Sequence, residues 1–204
     1  MNKMTKKEFD ERYWRYYTIL EKRFLNSTEY VELHKDNYKT FSNMYAFLIQ
    51  TIGAELDVIF KLICGIALTD YANMNAYANY FLKNSNCDEF VRHIDVKKQE
   101  IIVEGYEINF IPFKEWDLSK PSESLPWWKA FTNLKHNRFE NLHEANQENT
   151  LNILGALYFI EVLYLNKISG NEDDFNTVDV ASDLFKLKGF NNPMKEFDFI
   201  EIKK

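Results

Sequence analysis

The residue with the most demanding chemistry in this sequence is Arg138, which lies in an aromatic and basic segment between residues 127 and 145. At about 100° per residue, a helix through this segment places Arg138 on an apolar stripe. The other members of that stripe are Phe131, Leu134, Leu142 and Ala145. Because a guanidinium does not lose its charge in proteins, such a position requires a carboxylate, a protein interface or an anionic ligand.

A second stripe of the same predicted helix is polar and carries two histidines. Its members are Asn133, His136, Glu140, His143 and Gln147. In helical geometry Arg138 and His143 point about 140° apart, so one helix does not direct both side chains at the same point. A site composed of two helices, or of two subunits, is therefore predicted around Arg138 and His143.

The central apolar segment of the chain offers a partner for Arg138. Glu55 shares a helical stripe with four apolar residues: Leu48, Ile52, Ile59 and Ile63. Our hypothesis is that Glu55 pairs with Arg138 across a helix–helix interface, with the charged groups within about 4 Å of each other. The alternative is that Glu55 caps a helix or forms hydrogen bonds elsewhere.

Other kinds of site lack their sequence signatures. The histidines do not combine with cysteines or acids in a zinc-binding pattern. The glycines form neither a P-loop nor a dinucleotide-binding fingerprint, and no serine or cysteine lies in a nucleophile-elbow context. We therefore expect neither a metal nor a cofactor.

Hydrophobic periodicity predicts a mainly helical fold, a helical bundle. Apolar residues recur at spacings of three and four, which is typical of amphipathic or buried helices. The predicted helices cover residues 6–25, 42–68, 70–82 (as one helix or two short ones), 127–146 and 150–167. A break or a kink near Asn149 separates the last two, and Pro126 suits the first turn of the helix that follows it.

A small β-hairpin is predicted between the helices. Over residues 99–113 apolar and polar residues alternate on either side of Glu104-Gly105, which supplies the turn. A second alternation, over residues 197–202, is expected to add an edge strand to this hairpin. The predicted organisation is one helical domain over residues 1–168, with the hairpin as an insertion, and an acidic C-terminal extension over residues 169–204 that packs on it.

The composition is typical of a folded cytoplasmic protein. The 204 residues are 46% hydrophobic and 16% aromatic, which is ample for a packed core. Two cysteines give no disulfide framework, and the charged N-terminus has no signal-peptide core. Charged residues interrupt the apolar run 44–68, which predicts a core helix rather than a membrane span. The net charge of −6 argues against binding nucleic acid through overall charge, but a local site for RNA is compatible with it.

The stretch Arg138-Phe-Glu-Asn-Leu-His143 resembles the Arg-x4-6-His motif of the HEPN superfamily. These are helical proteins that include many bacterial RNA-cleaving toxins and antiphage effectors. The run from Pro126 to Arg138, the apolar helix after it and residues 54–61 are similar to a poorly characterised bacterial HEPN-like group, so the resemblance covers roughly residues 42–167. One position departs from the pattern: active members often have a polar residue after the arginine, and this chain has Phe139.

The resemblance implies metal-independent cleavage of RNA, in which the substrate's own 2′-hydroxyl attacks the adjacent phosphorus. Arg138 would neutralise the charge that builds on the phosphate. His143 would act as general acid or base, since histidine exchanges protons near neutral pH. Asn133, Lys135 and His136 would position the RNA backbone, and two protomers would form the site.

The same resemblance implies a bacterial, cytoplasmic protein in a toxin or antiphage defence role. The expected partners are RNA, a second copy of the chain in a homodimer, and an antitoxin or another defence-system protein. We expect no binding to a membrane.

A structural interpretation of the same residues stays open. Arg138 would then be an ion-pair residue, His143 a solvated helix residue and His136 a hydrogen-bonded packing residue. The protein would be a non-catalytic HEPN-like module that binds RNA, a nucleotide or a protein partner. Trp127 and Trp128 either stack on bases or anchor their loop to the core, and we expect at least one of them in the core.

Overall fold

The structure is a computed structural model that describes residues 4–83, 94–169, 177–189 and 192–195. Helices make up most of the described chain, and a small antiparallel sheet lies beside them. This architecture confirms the predicted mainly helical fold with a small hairpin.

The N-terminal helical region begins where Thr5 and Glu8 form a capping box. The region consists of helix α1 (Lys6–Phe9), a π-helical turn (Asp10–Trp14) and helix α2 (Arg15–Thr28). Because the three parts follow each other without a gap, the predicted helix over residues 6–25 is confirmed. It ends one turn later than predicted, at Thr28.

Helix α3, Asn43–Cys64, is the first of two long central helices. It begins after Ser42, whose hydroxyl accepts a hydrogen bond from the backbone N–H of Tyr45 at 3.0 Å. It ends at Cys64, and Gly65 directly after it has a φ of 69°, in the left-handed region that favours glycine. The prediction over residues 42–68 is therefore confirmed for the helix and wrong for its last residues.

Helix α4, Met74–Leu82, begins after Asn73, whose side-chain oxygen accepts hydrogen bonds from two backbone N–H groups of the first turn. Strands β1, Ile101–Val103, and β2, Ile108–Phe110, then pair antiparallel as the predicted hairpin. Gly105 in the connection has a φ of 78°. The turn residues thus act as the sequence pattern indicated.

Helix α5, Pro126–Asn137, has its proline in the first turn, as predicted. Helix α6, Gln147–Ser169, follows after a connection that contains one short 3-10 turn, Leu142–Glu144. The prediction of a helix over residues 127–146 is therefore correct at its start and wrong over its last residues.

The C-terminal part of the described chain completes the sheet. It contains strands β3 (Thr177–Val178), β4 (Phe185–Leu187) and β5 (Met194–Lys195). Strand β4 pairs antiparallel with β1, so the order is β2–β1–β4, while β3 and β5 pair parallel with each other. The predicted edge strand over residues 197–202 lies outside the described residues, and the strand that extends the hairpin in the structure is β4.

A buried carboxyl group ties this C-terminal part to α2. Glu21 accepts hydrogen bonds from the hydroxyl groups of Tyr17, at 2.5 Å, and Ser182. It also accepts from the backbone N–H groups of Asp183, at 3.1 Å, and Leu184, at 3.3 Å. Burial raises the pKa of Glu21, while these donors act in the opposite direction. The network holds the segment before β4 against the helical core.

The long helices α3 and α6 form the centre of the core, and α5 packs beside them. A Cβ atom on Gly53 of α3 would clash with the ring of Phe131 on α5, so the glycine permits the close approach of these two helices. Among the described residues, α6 is the one helix long and apolar enough to cross a membrane by length and composition. Of its most apolar stretch of 18 residues, 78% is buried inside the protein, as in a core helix.

The two tryptophans at the start of α5 are both buried. The indole N–H of Trp127 donates to the backbone carbonyl of Pro112 at 2.8 Å, and its ring lies edge-on to Phe113 with 5.5 Å between centroids. The ring of Trp128 lies 5.1 Å from that of Phe131. The prediction that at least one of them anchors the segment to the core is confirmed.

Candidate functional site

Arg138 and His143 both lie in the connection between α5 and α6, residues 138–146, which we call the motif turn. At its start, the side-chain amide of Asn141 donates to the backbone carbonyls of Asn137, at 2.8 Å, and Asn133, at 3.4 Å. These bonds satisfy carbonyl groups at the C-terminal end of α5, so the helix ends there without leaving them unpaired.

Two predictions for this segment are wrong. Arg138, Leu142 and Ala145 lie beyond the end of α5, so they do not continue an apolar helical stripe, and Arg138 is exposed. The prediction that Arg138 and His143 point in different directions from one helix is also wrong, because His143 lies in the 3-10 turn. The geometric reason for dividing the site between two subunits therefore disappears.

Side-chain amides hold the motif turn in place. The amide of Asn133 donates to both carboxylate oxygens of Glu144, at 2.9 and 3.1 Å. The amide of Asn149 donates to the backbone carbonyl of Glu144 at 2.9 Å, and that of Asn146 donates to the carbonyl of His143 at 3.2 Å. The turn is thus fixed from α5 on one side and from α6 on the other.

The chain just before α3 also borders the motif turn. The backbone N–H of Ser42 donates to the carbonyl of Ala145 at 3.1 Å, and the N–H of Gln147 donates to the carbonyl of Thr40 at 3.0 Å. These backbone bonds place the start of α3 next to the motif turn.

Arg138 is held by a neutral side chain at the start of α3. Its Nη1 donates to Oδ1 of Asn43 at 2.6 Å. Within the described ranges, Arg138 forms no ion pair with a carboxylate. The predicted pair with Glu55 is therefore wrong, because Arg138 contacts the first residue of α3.

Glu55 lies twelve residues after Asn43, about 18 Å along the axis of α3. Burial raises the pKa of Glu55. The pKa of Glu161 on α6 is also raised, first by burial and then by the nearby carboxyl group of Glu55. Glu161 is fully buried, and both of its carboxyl oxygens are without a hydrogen-bond partner in the part of the chain that is described. Glu55 therefore belongs to the α3–α6 contact and does not support the motif turn.

His143 presents its imidazole to solvent. The residue is exposed, and its imidazole forms no hydrogen bond within the described ranges, while its backbone carbonyl accepts one from Asn146. Both ring nitrogens are thus accessible to a ligand. The motif turn brings this imidazole and the Arg138 guanidinium into one fixed, solvent-facing segment.

The three predicted substrate-binding residues do not lie together. Asn133 is half-buried and its amide is used by Glu144, so it holds the motif turn. Lys135 and His136 are exposed and line a groove between α3 and α5. The family resemblance grouped Asn133 with the other two, whereas in the structure its amide binds Glu144 and holds the motif turn.

The groove between α3 and α5, which we call the α3–α5 groove, has a volume of about 630 Å³. The helices run antiparallel along it: Gly53 meets Phe131, and the amide of Gln50 donates to the carbonyl of Leu134 at 3.3 Å. Further toward the start of α3, Asn43 contacts Arg138, the residue directly after the end of α5. Lys135 and His136 therefore lie along the path that leads to Arg138.

A second groove, the α2–α3 groove, lies where the end of α2 meets the start of α3, with a volume of about 600 Å³. Arg23 and Tyr30 border it, and neither was singled out from the sequence. No spacing connects them to the motif, because the groove forms only in the folded chain. Asn43 was also missed, although it lies in the first turn of the helix predicted over residues 42–68.

Metal ligands do not cluster in the part of the chain that the structure describes: no group of three or more His, Cys, Asp or Glu side chains is placed to hold an ion.

No protein-family model, curated protein or solved structure matches this chain.

Proposed function

We propose that this protein is a metal-independent, HEPN-like endoribonuclease. The observation that carries the proposal is the exposed guanidinium of Arg138, which is held by the neutral amide of Asn43 and by no carboxylate among the described residues. A carboxylate partner would offset the charge of Arg138, whereas an amide orients the guanidinium and leaves its charge for an anion. A phosphate diester is such an anion.

In this proposal the 2′-hydroxyl of the RNA attacks the adjacent phosphorus, and the bond from phosphorus to the 5′-oxygen of the next nucleotide breaks. The products are a 2′,3′-cyclic phosphate and a 5′-hydroxyl. Arg138 binds the phosphate oxygens as negative charge builds on them. His143 either removes the proton of the 2′-hydroxyl or protonates the leaving 5′-oxygen.

Lys135 and His136 bind RNA in this proposal as positioning residues. Both are exposed along the α3–α5 groove, on the path toward Arg138. Contacts from such side chains to the phosphates carry affinity without reading sequence. Asn133 contributes indirectly, because its bonds to Glu144 hold the motif turn.

The biological setting is part of the proposal. We place the protein in bacterial toxin or antiphage defence, in the cytoplasm, as a homodimer whose partners include RNA and an antitoxin or another defence-system protein. Phe139 beside Arg138 is 92% exposed, and in this setting we propose that it contacts one of these protein partners.

The alternative is a non-catalytic HEPN-like module that binds RNA, a nucleotide or a protein partner. Phe139 is the observation that favours it, because this exposed apolar side chain follows the arginine where active HEPN proteins often have a polar one. The two functions share the binding of an anion at Arg138 and differ in turnover.

The deciding experiment incubates the purified protein with mixed RNA in EDTA and analyses the product ends. The test variants are Arg138→Ala and His143→Ala. Matched controls are Arg12→Ala and His34→Ala, which remove an exposed arginine and an exposed histidine far from the motif turn in sequence. Cleavage with 2′,3′-cyclic phosphate ends that is lost in the test variants alone supports the nuclease. A folded wild-type protein that binds RNA without cleaving it supports the module.

A further inference from the structure

We infer that the α2–α3 groove binds a base of the RNA strand next to the scissile phosphate. This inference deepens the proposed nuclease function and rests on it. The groove has a volume of about 600 Å³, within the range of small-molecule sites. It therefore has room for a nucleoside unit.

The chemistry of the groove fits a base and its phosphate. Among the described residues that line it, Arg23 alone is charged. Tyr30 at the rim is 87% exposed, and its ring is available to stack on a base. Met44 and Tyr45 add apolar surface, and the amide of Asn26 offers hydrogen bonds to a base edge.

Arg23 is placed to meet an anion at the edge of the groove. Its guanidinium lies over the ring of Phe47, 5.4 Å from the ring centroid. No carboxylate pairs with Arg23 within the described ranges. A stacked, unpaired guanidinium keeps both its charge and its outward donors for a phosphate.

The first turn of α3 connects the groove to Arg138. Ser42 and Met44 line the groove, and Asn43, between them in sequence, accepts the hydrogen bond from Arg138. A phosphate bound by Arg138 therefore lies at the same helix end as the groove. The strand would follow Lys135 and His136 to Arg138 and place its next base in the α2–α3 groove.

The α3–α5 groove is the less suitable place for that base. It contains the carboxylate of Asp57, although Lys61 pairs with it at 3.3 Å and Tyr77 donates to it at 2.6 Å. Its exposed basic residues, Lys135 and His136, fit a backbone that passes along the surface. Tyr16 on α2 is also exposed and lines neither groove, so it provides the control for Tyr30.

The test uses the full chain with His143→Ala, so that RNA stays intact. A single-stranded RNA containing 4-thiouridine is photo-crosslinked to it, and the modified residues are identified by mass spectrometry. We expect crosslinks at Tyr30 or Met44, which are both exposed. In the same background, we expect Tyr30→Ala to weaken RNA binding by about tenfold and Tyr16→Ala to leave it unchanged, since loss of one stacked base has an effect of this order.

The outcomes separate this inference from the nuclease. Crosslinks confined to Tyr71 or Trp128, with no effect of Tyr30→Ala, would overturn the inference even if the wild-type protein cleaves RNA. Crosslinks at Tyr30 together with weaker binding by Tyr30→Ala support the groove, even if the wild-type protein cleaves nothing and the nuclease is rejected. A thermal melt of Tyr30→Ala equal to that of the parent protein shows that the fold is intact, as the exposure of Tyr30 predicts.

Discussion

The guanidinium of Arg138 donates a 2.6 Å hydrogen bond to the side-chain oxygen of Asn43, the first residue of α3. This bond joins the turn after α5 to the start of a central helix. It uses one of the five N–H donors of the arginine and adds no negative charge. Asn43 therefore orients Arg138 while leaving its charge for a ligand.

Changing this amide to a carboxylate tests whether that charge is used. We expect Asn43→Asp to lower the single-turnover rate of RNA cleavage by about tenfold or more, because a carboxylate next to Arg138 competes with the phosphate. The fold is expected to persist, since an acid in the first turn of a helix is favourable.

Asn75→Asp is the matched control, because it places the same acid in the first turn of α4. Its cleavage rate is expected to equal that of the wild-type protein. A wild-type rate for Asn43→Asp as well would show that the charge of Arg138 plays no part in the reaction.

The hydrogen bonds from Asn133 to Glu144 predict the rigidity of the motif turn. We expect Asn133→Ala to accelerate amide hydrogen exchange over residues 138–146 and to slow RNA cleavage, because the lost bonds to a carboxylate contribute about 1.5–3 kcal/mol. Exchange measured by mass spectrometry checks this. Asn79→Ala, which removes an amide bond to the carbonyl of Asn75 within α4, is expected to leave the motif turn unchanged. Unchanged exchange in Asn133→Ala would mean that backbone contacts alone hold the turn.

Helix starts could be predicted from the sequence because the signals are local. Ser42 and Pro126 lie at the N-terminal ends of α3 and α5, where their side chains fit the first turn. The end of α5 was not predictable in the same way. The polar residues that follow it continue the helical period in sequence. In the folded chain, however, the amide of Asn141 donates hydrogen bonds to carbonyl groups of the last turn.

Contacts between distant segments account for the other differences. Strand β4 has only three residues, and its pairing with β1 defines it more than its own pattern does. The partner of Arg138 depends on how α3 and α5 are aligned, which helical periodicity does not determine. The helical stripes predicted Glu55 as the partner of Arg138, whereas in the folded chain its partner is Asn43.

The four donors around Glu21 predict that this residue stabilises the fold. We expect Glu21→Gln to lower the free energy of unfolding by about 2 kcal/mol, because an amide nitrogen cannot accept the hydrogen bonds that a carboxylate oxygen accepts. Urea unfolding followed by circular dichroism measures the loss. Ser182→Ala removes one of the donors and is expected to cost less. A wild-type stability for Glu21→Gln would contradict the role of this network in holding β4.

At Glu161, in contrast to Glu21, we expect a substitution by glutamine to stabilise the fold. The residue is fully buried without a described hydrogen-bond partner, and burial together with the nearby Glu55 raises its pKa well above the usual range. Below the ordinary pKa of glutamate, about 4.3, the group is neutral in both the folded and the unfolded state. As the pH rises toward the folded-state pKa, the unfolded state ionises first, so the free energy of unfolding falls.

We therefore expect Glu161→Gln to melt at the same temperature as the wild-type protein near pH 4 and at a higher temperature at pH 8. Thermal unfolding followed by circular dichroism across this range gives the difference between the two proteins. Glu21, whose pKa burial also raises, titrates in both proteins and cancels from that difference. A difference that stays constant with pH would show that Glu161 has an ordinary pKa, and hence that a partner or solvent reaches its carboxylate in the folded protein.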